Sequence, residues 1–468
     1  MAANGQPMRK TFPVFDCDAH VNDPLEIWDY VEPEQRELVH QSYFRDEQGG
    51  LLNGKTRVFA GEGRMFLPSY NPICIAGPGM SKALIRKLLM SPLDDEKRDY
   101  LEHKGAYEPH ARIKEMDLMG IDQVMVIPTM MVQHFPFVEN PAGAYAFARA
   151  YNDWAADFCK AVPDRLFAAG WLPIQSIENT VEELTRLKKM DFRVALLRPI
   201  DAQGNYPSQI NPSFGGVNWD PVFRAFDETG IVLGMHTFPA GAGAGDGGRQ
   251  AQMYSPGQLI DASAHDDGMT QGLNSQTLSF IYEATVWLTQ VLLSGFLDRY
   301  PKLKMAIFES NATWLPGVLE RLDRYFTLYA NERRSAAKRL PSEAFYDQCF
   351  ISFESDEVPV FRRWDQFENV GLWASDAYHH DGADSWGAMG DMSKVEVPEE
   401  VQAKLLGGNA LGMYGIEPKM FVEEQLPIAR PSWFPTDADV EEFAKIQKDP
   451  KLAAEYMAQM MSSARTGY

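Results

Sequence analysis

Short apolar runs of strand length alternate along the chain with segments in which apolar residues recur at helical spacing. The order is strand then helix, repeatedly. The runs are largely uninterrupted by polar residues, which is typical of strands buried on both faces of a parallel sheet. The pattern therefore predicts an α/β protein with a (β/α)8 TIM barrel. The eight predicted strands span residues 12–17, 123–128, 166–172, 194–197, 231–236, 304–308, 350–353 and 370–375.

The segments between the strands predict the outer helices and two larger additions to the barrel. Residues 179–188 follow a polar cap, and residues 220–228 carry an apolar face and end at Gly230. Residues 32–110 are too long for an ordinary strand-to-helix loop and are predicted to form a lid-like insertion. The barrel domain is predicted to span residues 1–416, and residues 417–468 to form a C-terminal helical extension.

Composition narrows the class of protein further. The chain has 468 residues, 45% of them hydrophobic, which suffices for one enlarged barrel. Its formal net charge of -21 would repel phosphate backbones and anionic membranes, so nucleic-acid and membrane partners are not expected. The chain has no run of 18 apolar residues, no signal-peptide pattern and only 4 scattered cysteines. A soluble cytoplasmic protein that acts on a small-molecule substrate is expected.

Polar side chains follow several predicted strands where those strands end. Asp16, Asp18 and His20 alternate along the first strand, so they are predicted to point in one direction. An acid and an imidazole two residues apart suit a divalent cation. The alternative for this segment alone is a hydrogen-bonded Asp–His pair that closes the barrel.

Three further strand ends add to this picture. His236 ends strand five, Glu309 follows strand six and Asp376 follows strand eight. Because strand-to-helix loops of a barrel open on one face, these groups are expected to converge. Buried carboxylates are costly without a positive partner, and Arg198 alone cannot neutralise four acids. The sequence therefore predicts a metal site.

The ordered motifs resemble the amidohydrolase superfamily, in the amidohydrolase-2 branch related to aminocarboxymuconate semialdehyde decarboxylase. The resemblance covers roughly residues 12–416. Members begin with a strand ending in D-x-[HED]-x-H, which is matched by Asp16, Asp18 and His20. Further similar segments are VPDRLFAAGWLP, FLDRYPKLKMAIFESNATWLPGVLERLD, ASDAYHH and GGNALGMYGI.

The resemblance implies that Asp18, His20, His236 and Asp376 bind the metal, and that Asp376 also helps to activate a water or position a proton. His379 occupies the place of a family histidine after Asp376 and could be its hydrogen-bond partner. Family members are often dimers, so a homodimer is expected.

Two positions depart from the family pattern. Asp18 replaces the first histidine of the common HxH pair, and Glu309 replaces a strand-six histidine that often serves as acid or base. Glu309 is left as a base, a ligand or a bridge between two ions. The richer oxygen set leaves zinc, manganese and iron open as the divalent cofactor, with one ion expected and two allowed.

The leading functional prediction is a metal-dependent hydrolase of an amide, ester, lactone or thioester, with Asp376, Glu309 and His379 as its catalytic residues. The first alternative is a metal-dependent non-oxidative decarboxylase of an aromatic or unsaturated carboxylic acid. The second alternative is a catalytically silent barrel that binds a small ligand. Carbon dioxide release without water incorporation would favour the decarboxylase.

Overall fold

The computed structural model describes residues 7–21, 23–43, 59–60, 64–65, 84, 87–88, 94–101, 103–129, 131–132, 135, 140–198, 218–237, 268–333, 336–379 and 382–456. Eight parallel strands form one sheet in sequence order. They are β1 (Phe15–Val21), β2 (Gln123–Pro128), β3 (Leu166–Trp171), β4 (Val194–Leu197), β5 (Val232–His236), β6 (Met305–Phe308), β7 (Cys349–Glu354) and β8 (Gly371–Ala374).

The sheet curls until its first and last strands meet. A parallel bridge joins Ala19 of β1 to Ala377, just beyond β8, and the backbone N–H of His20 donates to the Ala377 carbonyl. Nearly every strand residue is buried, as expected for strands covered by side chains inside and helices outside. The predicted (β/α)8 barrel is confirmed.

Helices surround the barrel and extend it. Those in the described part of the chain are α1 (Arg36–Tyr43), α2 (Asp95–Leu101), α3 (Pro109–Met119), α4 (Pro141–Lys160), α5 (Ile177–Lys189), α6 (Asp220–Thr229), α7 (Gly268–Ser294), α8 (Phe296–Arg299), α9 (Leu315–Leu328), α10 (Pro341–Gln348), α11 (Val358–Arg362), α12 (Trp364–Phe367), α13 (Ser385–Lys394), α14 (Glu399–Ala403), α15 (Asn409–Tyr414) and α16 (Asp437–Lys448). None of them is long and apolar enough to cross a lipid bilayer.

Local sequence signals explain where the outer helices begin and end. The Ser176 side chain accepts a hydrogen bond from the Asn179 N–H and caps α5, and α6 ends at Gly230 with a φ of 68°. Helix α6 buries Val222 and Phe226 in the hydrophobic core, as its spacing predicted. Both helices therefore match the outer ring expected from the sequence.

The insertion is described only in part. Between residues 32 and 110, the structure describes α1, α2 and a two-stranded pair formed by Phe59–Ala60 and Arg64–Met65. Tyr100 of α2 packs against Trp433 and Phe434, so this end of the insertion contacts the C-terminal extension. Most of the remaining insertion lies outside the described residues, and its role as a lid stays a prediction.

The C-terminal extension also binds the amino end of the barrel. The Asp122 carboxylate, just before β2, accepts hydrogen bonds from the backbone N–H groups of Val14, Phe421 and Val422. The Lys10 ammonium forms a buried ion pair with the same carboxylate. One buried acid therefore joins the entry to β1, the entry to β2 and the chain beyond the barrel.

Candidate metal centre

The structure brings all five predicted metal ligands to the carboxyl end of the barrel. Asp18 and His20 lie within β1, and His236 is the last residue of β5. Glu309 follows β6 directly, and Asp376 is the second residue after β8. Asp18, His20 and His236 are almost fully buried.

The donor atoms of these residues face one another at short range. His20 Nε2 lies 3.1 Å from Asp18 Oδ1, 3.4 Å from Asp376 Oδ1 and 3.7 Å from Glu309 Oε2. His236 Nε2 lies 3.2 Å from Glu309 Oε2 and 3.5 Å from Asp18 Oδ2. Ligands about 2.1 Å from a common ion lie about 3.0 to 3.4 Å apart in octahedral or tetrahedral geometry. The observed spacings are close to those values.

The other ring nitrogen of each histidine fixes its orientation. His20 Nδ1 lies 3.0 Å from the Pro128 carbonyl oxygen, and His236 Nδ1 lies 2.7 Å from the Thr237 carbonyl oxygen. Because a carbonyl can only accept, each Nδ1 carries the hydrogen. Each Nε2 can therefore present a lone pair to the shared point, as metal-binding histidines do.

The backbone turns sharply at the two carboxylates that follow strands. Glu309 has a φ of 50° and Asp376 a φ of 48°, both in the left-handed region that non-glycine residues rarely adopt. Ser352 Oγ accepts from the Glu309 N–H, and the Asp18 carbonyl accepts from the Asp376 N–H. Neighbouring strands thus hold both strained residues, a feature that is concentrated at functional sites.

The donor set fits a divalent cation. Among the described residues, Asp18 Oδ1, His20 Nε2 and His236 Nε2 are buried and have no hydrogen-bond partner. Such atoms are costly to bury unless a ligand pairs with them. Three carboxylates and two imidazoles converge here, and Asp18, His20, His236 and Glu309 can present one ligand atom each within 4.8 Å of one another.

The carboxylates make this point strongly attractive to positive charge. Burial lowers the pKa of His236, but the negative charges of Asp18 and Glu309 outweigh burial and raise it to about 10. Burial raises the pKa of Asp18, but His236 and His20 outweigh burial and lower it to about 2. The site therefore holds a proton or a cation between its acids.

His379 joins the site as the partner of Asp376. Its Nδ1 lies 2.7 Å from Asp376 Oδ1, its Nε2 lies 3.4 Å from Thr129 Oγ1, and its ring stacks on His20 at 3.8 Å. His20, Glu309, Asp376 and His379 form a second overlapping set of candidate ligands. His380 lies outside the described residues.

Asp16 departs from the predicted arrangement. Its carboxylate accepts hydrogen bonds from the Ser375 N–H and hydroxyl and from the Asp18 N–H, so it binds the β8 end rather than facing the other ligands. The pairing of β1 with β2 shifts between Asp16 and Ala19, which marks a bulge. A bulge breaks the two-residue alternation on which the prediction rested.

The side chains of Arg198 and Phe135 are both buried and make contacts outside the ligand cluster. Arg198, after β4, donates through Nε and Nη2 to Glu283 Oε1 and through Nη1 to the Val132 carbonyl. Phe135 is fully buried and packs edge-on against Trp171 in the core. Arg198 therefore serves a buried ion pair, and Phe135 serves packing.

Sequence reasoning missed Arg112, which lies behind the site. Its guanidinium donates to the carbonyl oxygens of Ala19 and His20 and is 1% exposed. On α3, the buried residues are Arg112, Met116 and Met119, so an arginine occupies the apolar stripe. An arginine at an apolar position of this helix is the sequence feature that could have identified Arg112.

The family model described as amidohydrolase matches residues 105–416. The chain belongs to the amidohydrolase family. The predicted resemblance to the amidohydrolase-2 branch is therefore confirmed, and the chain is identified as an enzyme of that family.

Two curated relatives resemble this family member over much of its length. The gamma-resorcylate decarboxylase of a Rhizobium species is 23% identical over 254 residues, which cover 54% of this chain and 70% of the relative. The 2-amino-3-carboxymuconate-6-semialdehyde decarboxylase of Dictyostelium discoideum is 21% identical over 348 residues, covering 68% of this chain and 79% of the relative.

Solved structures share the fold. The 5-carboxyvanillate decarboxylase LigW of Sphingomonas paucimobilis has a TM-score of 0.54 and 19% identity, covering 87% of this chain and 100% of that chain. The dihydroxybenzoic acid decarboxylase of a Polaromonas species was solved with manganese and 2-nitroresorcinol. It has a TM-score of 0.52 and 15% identity, and the match covers 86% of this chain and 97% of that chain.

The prediction that this amidohydrolase-family chain is a hydrolase is wrong. The curated relatives are decarboxylases, and so are these two structural neighbours. These findings support the first alternative. The prediction failed because a metal-binding barrel mouth can polarise either a scissile carbonyl or a carboxylate, and the strand-end residues alone do not distinguish the two reactions.

Proposed function

We propose that the chain is a metal-dependent, non-oxidative decarboxylase of an aromatic or unsaturated carboxylic acid. The convergence of Asp18, His20, His236, Glu309 and Asp376 at the barrel mouth carries the proposal. The relatives supply the reaction class, because they decarboxylate such acids. The expected substrate is a small acid whose carboxylate adjoins an aromatic ring or a conjugated double bond.

These five residues are the proposed ligands of one divalent ion. A bound cation would supply Lewis-acid polarisation of the substrate carboxylate. Three carboxylates and two imidazoles form an oxygen-rich set, which suits manganese better than zinc. The Polaromonas neighbour, which contains manganese, supports the same choice. His20 and Glu309 belong to both overlapping ligand sets, so a second ion would have to share ligands with the first.

Asp376 and His379 are the proposed proton-delivering pair. Decarboxylation breaks the bond between the carboxylate carbon and the ring carbon, releases carbon dioxide and leaves an electron pair that one proton must meet. The Asp376 carboxyl would give that proton, and the contact of 2.7 Å with His379 Nδ1 would allow the imidazole to replace it. Thr129 Oγ1, 3.4 Å from His379 Nε2, would help to orient the ring.

Glu309 is proposed as a ligand rather than an acid. Its Oε2 lies 3.2 Å from His236 Nε2 and 3.7 Å from His20 Nε2, between the two imidazoles. Its N–H is bound by Ser352 Oγ and its carbonyl by the Thr237 hydroxyl, so its strained backbone is held at both ends. Those contacts favour a fixed anionic group that completes the cation's surroundings.

The experiment that tests this proposal combines metal analysis with a substrate panel. Protein stripped by a chelator and reloaded with Mn²⁺, Zn²⁺ or Fe²⁺ is incubated with dihydroxybenzoates, 5-carboxyvanillate and related unsaturated acids. About one bound ion per chain and metal-dependent carbon dioxide release are expected. In heavy water, each product should carry one deuterium at the carbon that lost the carboxylate.

Two outcomes would count against the decarboxylase. Carbon dioxide release that is unchanged by complete metal removal would reject the metal-dependent chemistry. Ligand binding with no turnover of any acid would favour the silent binding barrel. The homodimer and the cytoplasmic location stay predictions, as do the domain boundaries.

A further inference from the structure

The buried guanidinium of Arg112 contacts two segments that carry proposed metal ligands. Arg112 Nη2 donates to the Ala19 carbonyl at 3.1 Å, and Nη1 donates to the His20 carbonyl at 3.0 Å. Its Cζ lies 4.9 Å from the centre of the Tyr378 ring. Ala19 and His20 lie near the carboxyl end of β1, and Tyr378 is two residues beyond Asp376. One side chain therefore contacts the backbone of His20 and the ring of a residue in the Asp376 turn.

The barrel is closed at this same point. Ala19 pairs with Ala377, and the His20 N–H donates to the Ala377 carbonyl at 3.3 Å. Arg112 therefore binds the carbonyl groups of Ala19 and His20. The N–H of His20 joins the same segment to the chain just beyond β8. A change in the guanidinium would move His20 and the Asp376 turn together, because both depend on this junction.

Gly105, near the end of the insertion, packs closely against Arg112. Arg112 Nη1 also donates to the Gly105 carbonyl at 3.2 Å. A Cβ on Gly105 would lie 2.6 Å from Glu115 Oε2 and 2.8 Å from the Arg112 Cα, and it would also collide with the Tyr378 hydroxyl. The backbone of Gly105 approaches this cluster as closely as only a glycine allows.

We propose that Arg112 is the positioning residue of the metal centre, holding His20 and the Asp376 turn in ligating geometry. This role rests on the proposed metal site. Arg112 Nη1 and Nη2 donate to the carbonyls of two successive residues, and this planar donation is geometry that lysine cannot reproduce. Arg112 touches no reacting atom in this role. It acts through the residues that bind the ion.

The chain offers a matched control at the opposite end of the barrel. Arg165 donates through Nε and Nη2 to the carbonyl oxygens of Asp122 and Ile121, each at 2.8 Å, and lies 4.7 Å from the Phe421 ring centre. Like Arg112, it is almost fully buried. The two arginines therefore share burial, paired carbonyls and an aromatic neighbour. Arg165 also forms an ion pair with Asp117 at 2.6 Å, and of the two arginines only Arg112 adjoins the proposed ligands.

The test compares Arg112→Lys and Arg112→Met with Arg165→Lys and Arg165→Met in the full chain. Mn²⁺ affinity is measured by titration, and the EPR spectrum of bound Mn²⁺ reports the ligand geometry. Loss of a group that supports metal ligands typically costs about 10- to 100-fold in affinity. We expect that loss and an altered spectrum for the Arg112 variants, smaller for lysine than for methionine. The Arg165 variants should keep both properties while losing stability.

Equal loss of Mn²⁺ affinity in both pairs would overturn the role, since it would mean that any buried arginine serves only the fold. Unchanged affinity and spectrum in Arg112→Lys would also overturn it, whether or not the methionine variant folds. A wild-type chain that binds no Mn²⁺ overturns the metal site and this role together. A wild-type chain that binds Mn²⁺ but decarboxylates no acid contradicts only the proposed reaction, and the affinity comparison still decides the role of Arg112.

Discussion

The two ends of the barrel bury charge in opposite ways. At the amino end, the Asp122 carboxylate is paired with Lys10 and accepts from three backbone N–H groups. At the carboxyl end, Asp18 Oδ1 and the Nε2 atoms of His20 and His236 lack hydrogen-bond partners among the described residues. The first arrangement is complete within the protein, and the second needs something more.

This difference separates residues that stabilise the fold from residues that we propose to perform the chemistry. A saturated buried acid contributes by joining segments, and its loss leaves other charges unpaired. An unsaturated cluster with strained backbone costs stability, and such features are concentrated at functional sites. The comparison predicts that changes at the amino end alter stability alone, whereas changes at the carboxyl end alter metal binding and turnover.

The largest expected effect is on turnover, from removing the acid at the carboxyl end. Asp376→Asn should lower kcat for decarboxylation by about 10²- to 10⁴-fold, the usual contribution of a positioned general acid. Asp122→Asn, the same chemical change at the amino end, should leave kcat per folded molecule near the wild-type value. Carbon dioxide release, normalised to the folded fraction from circular dichroism, measures both.

The result would break the comparison if both variants lost turnover equally, or if Asp376→Asn remained fully active. The amide keeps the size of the carboxyl group, so a loss in Asp376→Asn reports the missing proton and charge. Metal content should be measured alongside, because Asp376 is also a proposed ligand.

The next largest effect is on the free energy of unfolding. We expect changes at the two ends of the barrel to affect it in different ways. At about 1,000 times its dissociation constant, Mn²⁺ should stabilise the folded chain by about 4 kcal/mol. Lys10→Met removes the partner of a buried carboxylate, a change that typically costs about 3 to 5 kcal/mol, and should keep the full Mn²⁺ increment. His236→Gln should lose most of the increment. Denaturant unfolding with Mn²⁺ or with EDTA measures each term.

An increment that disappears in Lys10→Met would mean that the two ends are coupled through the barrel. An increment that survives in His236→Gln would remove His236 from the ligand set. Either result would show that the two ends of the barrel do not divide into residues that affect only stability and residues that affect metal binding.

Much of this division could be predicted from the sequence, because strand ends and polar residues are local features. The proposed ligands His236, Glu309 and Asp376 lie at or just beyond the ends of apolar runs, so parallel packing alone brings them together. The apolar run that predicted β1 ends at residue 17, whereas the strand continues to Val21, so the proposed ligands Asp18 and His20 lie within it.

Features that depend on a second segment could not be predicted. The bulge between Asp16 and Ala19 depends on pairing with β2, and it turned Asp16 toward Ser375. The hydrogen bonds of Arg112 are made with the Ala19 and His20 carbonyls, which lie about 90 residues away along the chain. The reaction itself was mispredicted, because the same ligand types serve hydrolysis and decarboxylation.

The smallest effect concerns acid sensitivity, which should arise on the carboxyl-end side. His103 lies near Tyr378 and Glu115, and burial lowers its pKa to about 4. Unfolding exposes an imidazole with a pKa near 6.5, so the unfolded chain binds more protons between these two values. Stability is therefore lost as the pH falls through this window.

His103→Gln tests this source of acid sensitivity. Between about pH 7 and pH 5, the wild-type chain should lose about 2 kcal/mol more stability than the variant. His110→Gln, at an exposed histidine on α3, is the control and should keep the wild-type pH dependence. Denaturant unfolding at each pH measures the difference. Equal acid sensitivity in His103→Gln and wild type would show that protonation of His103 does not cause the loss of stability at low pH.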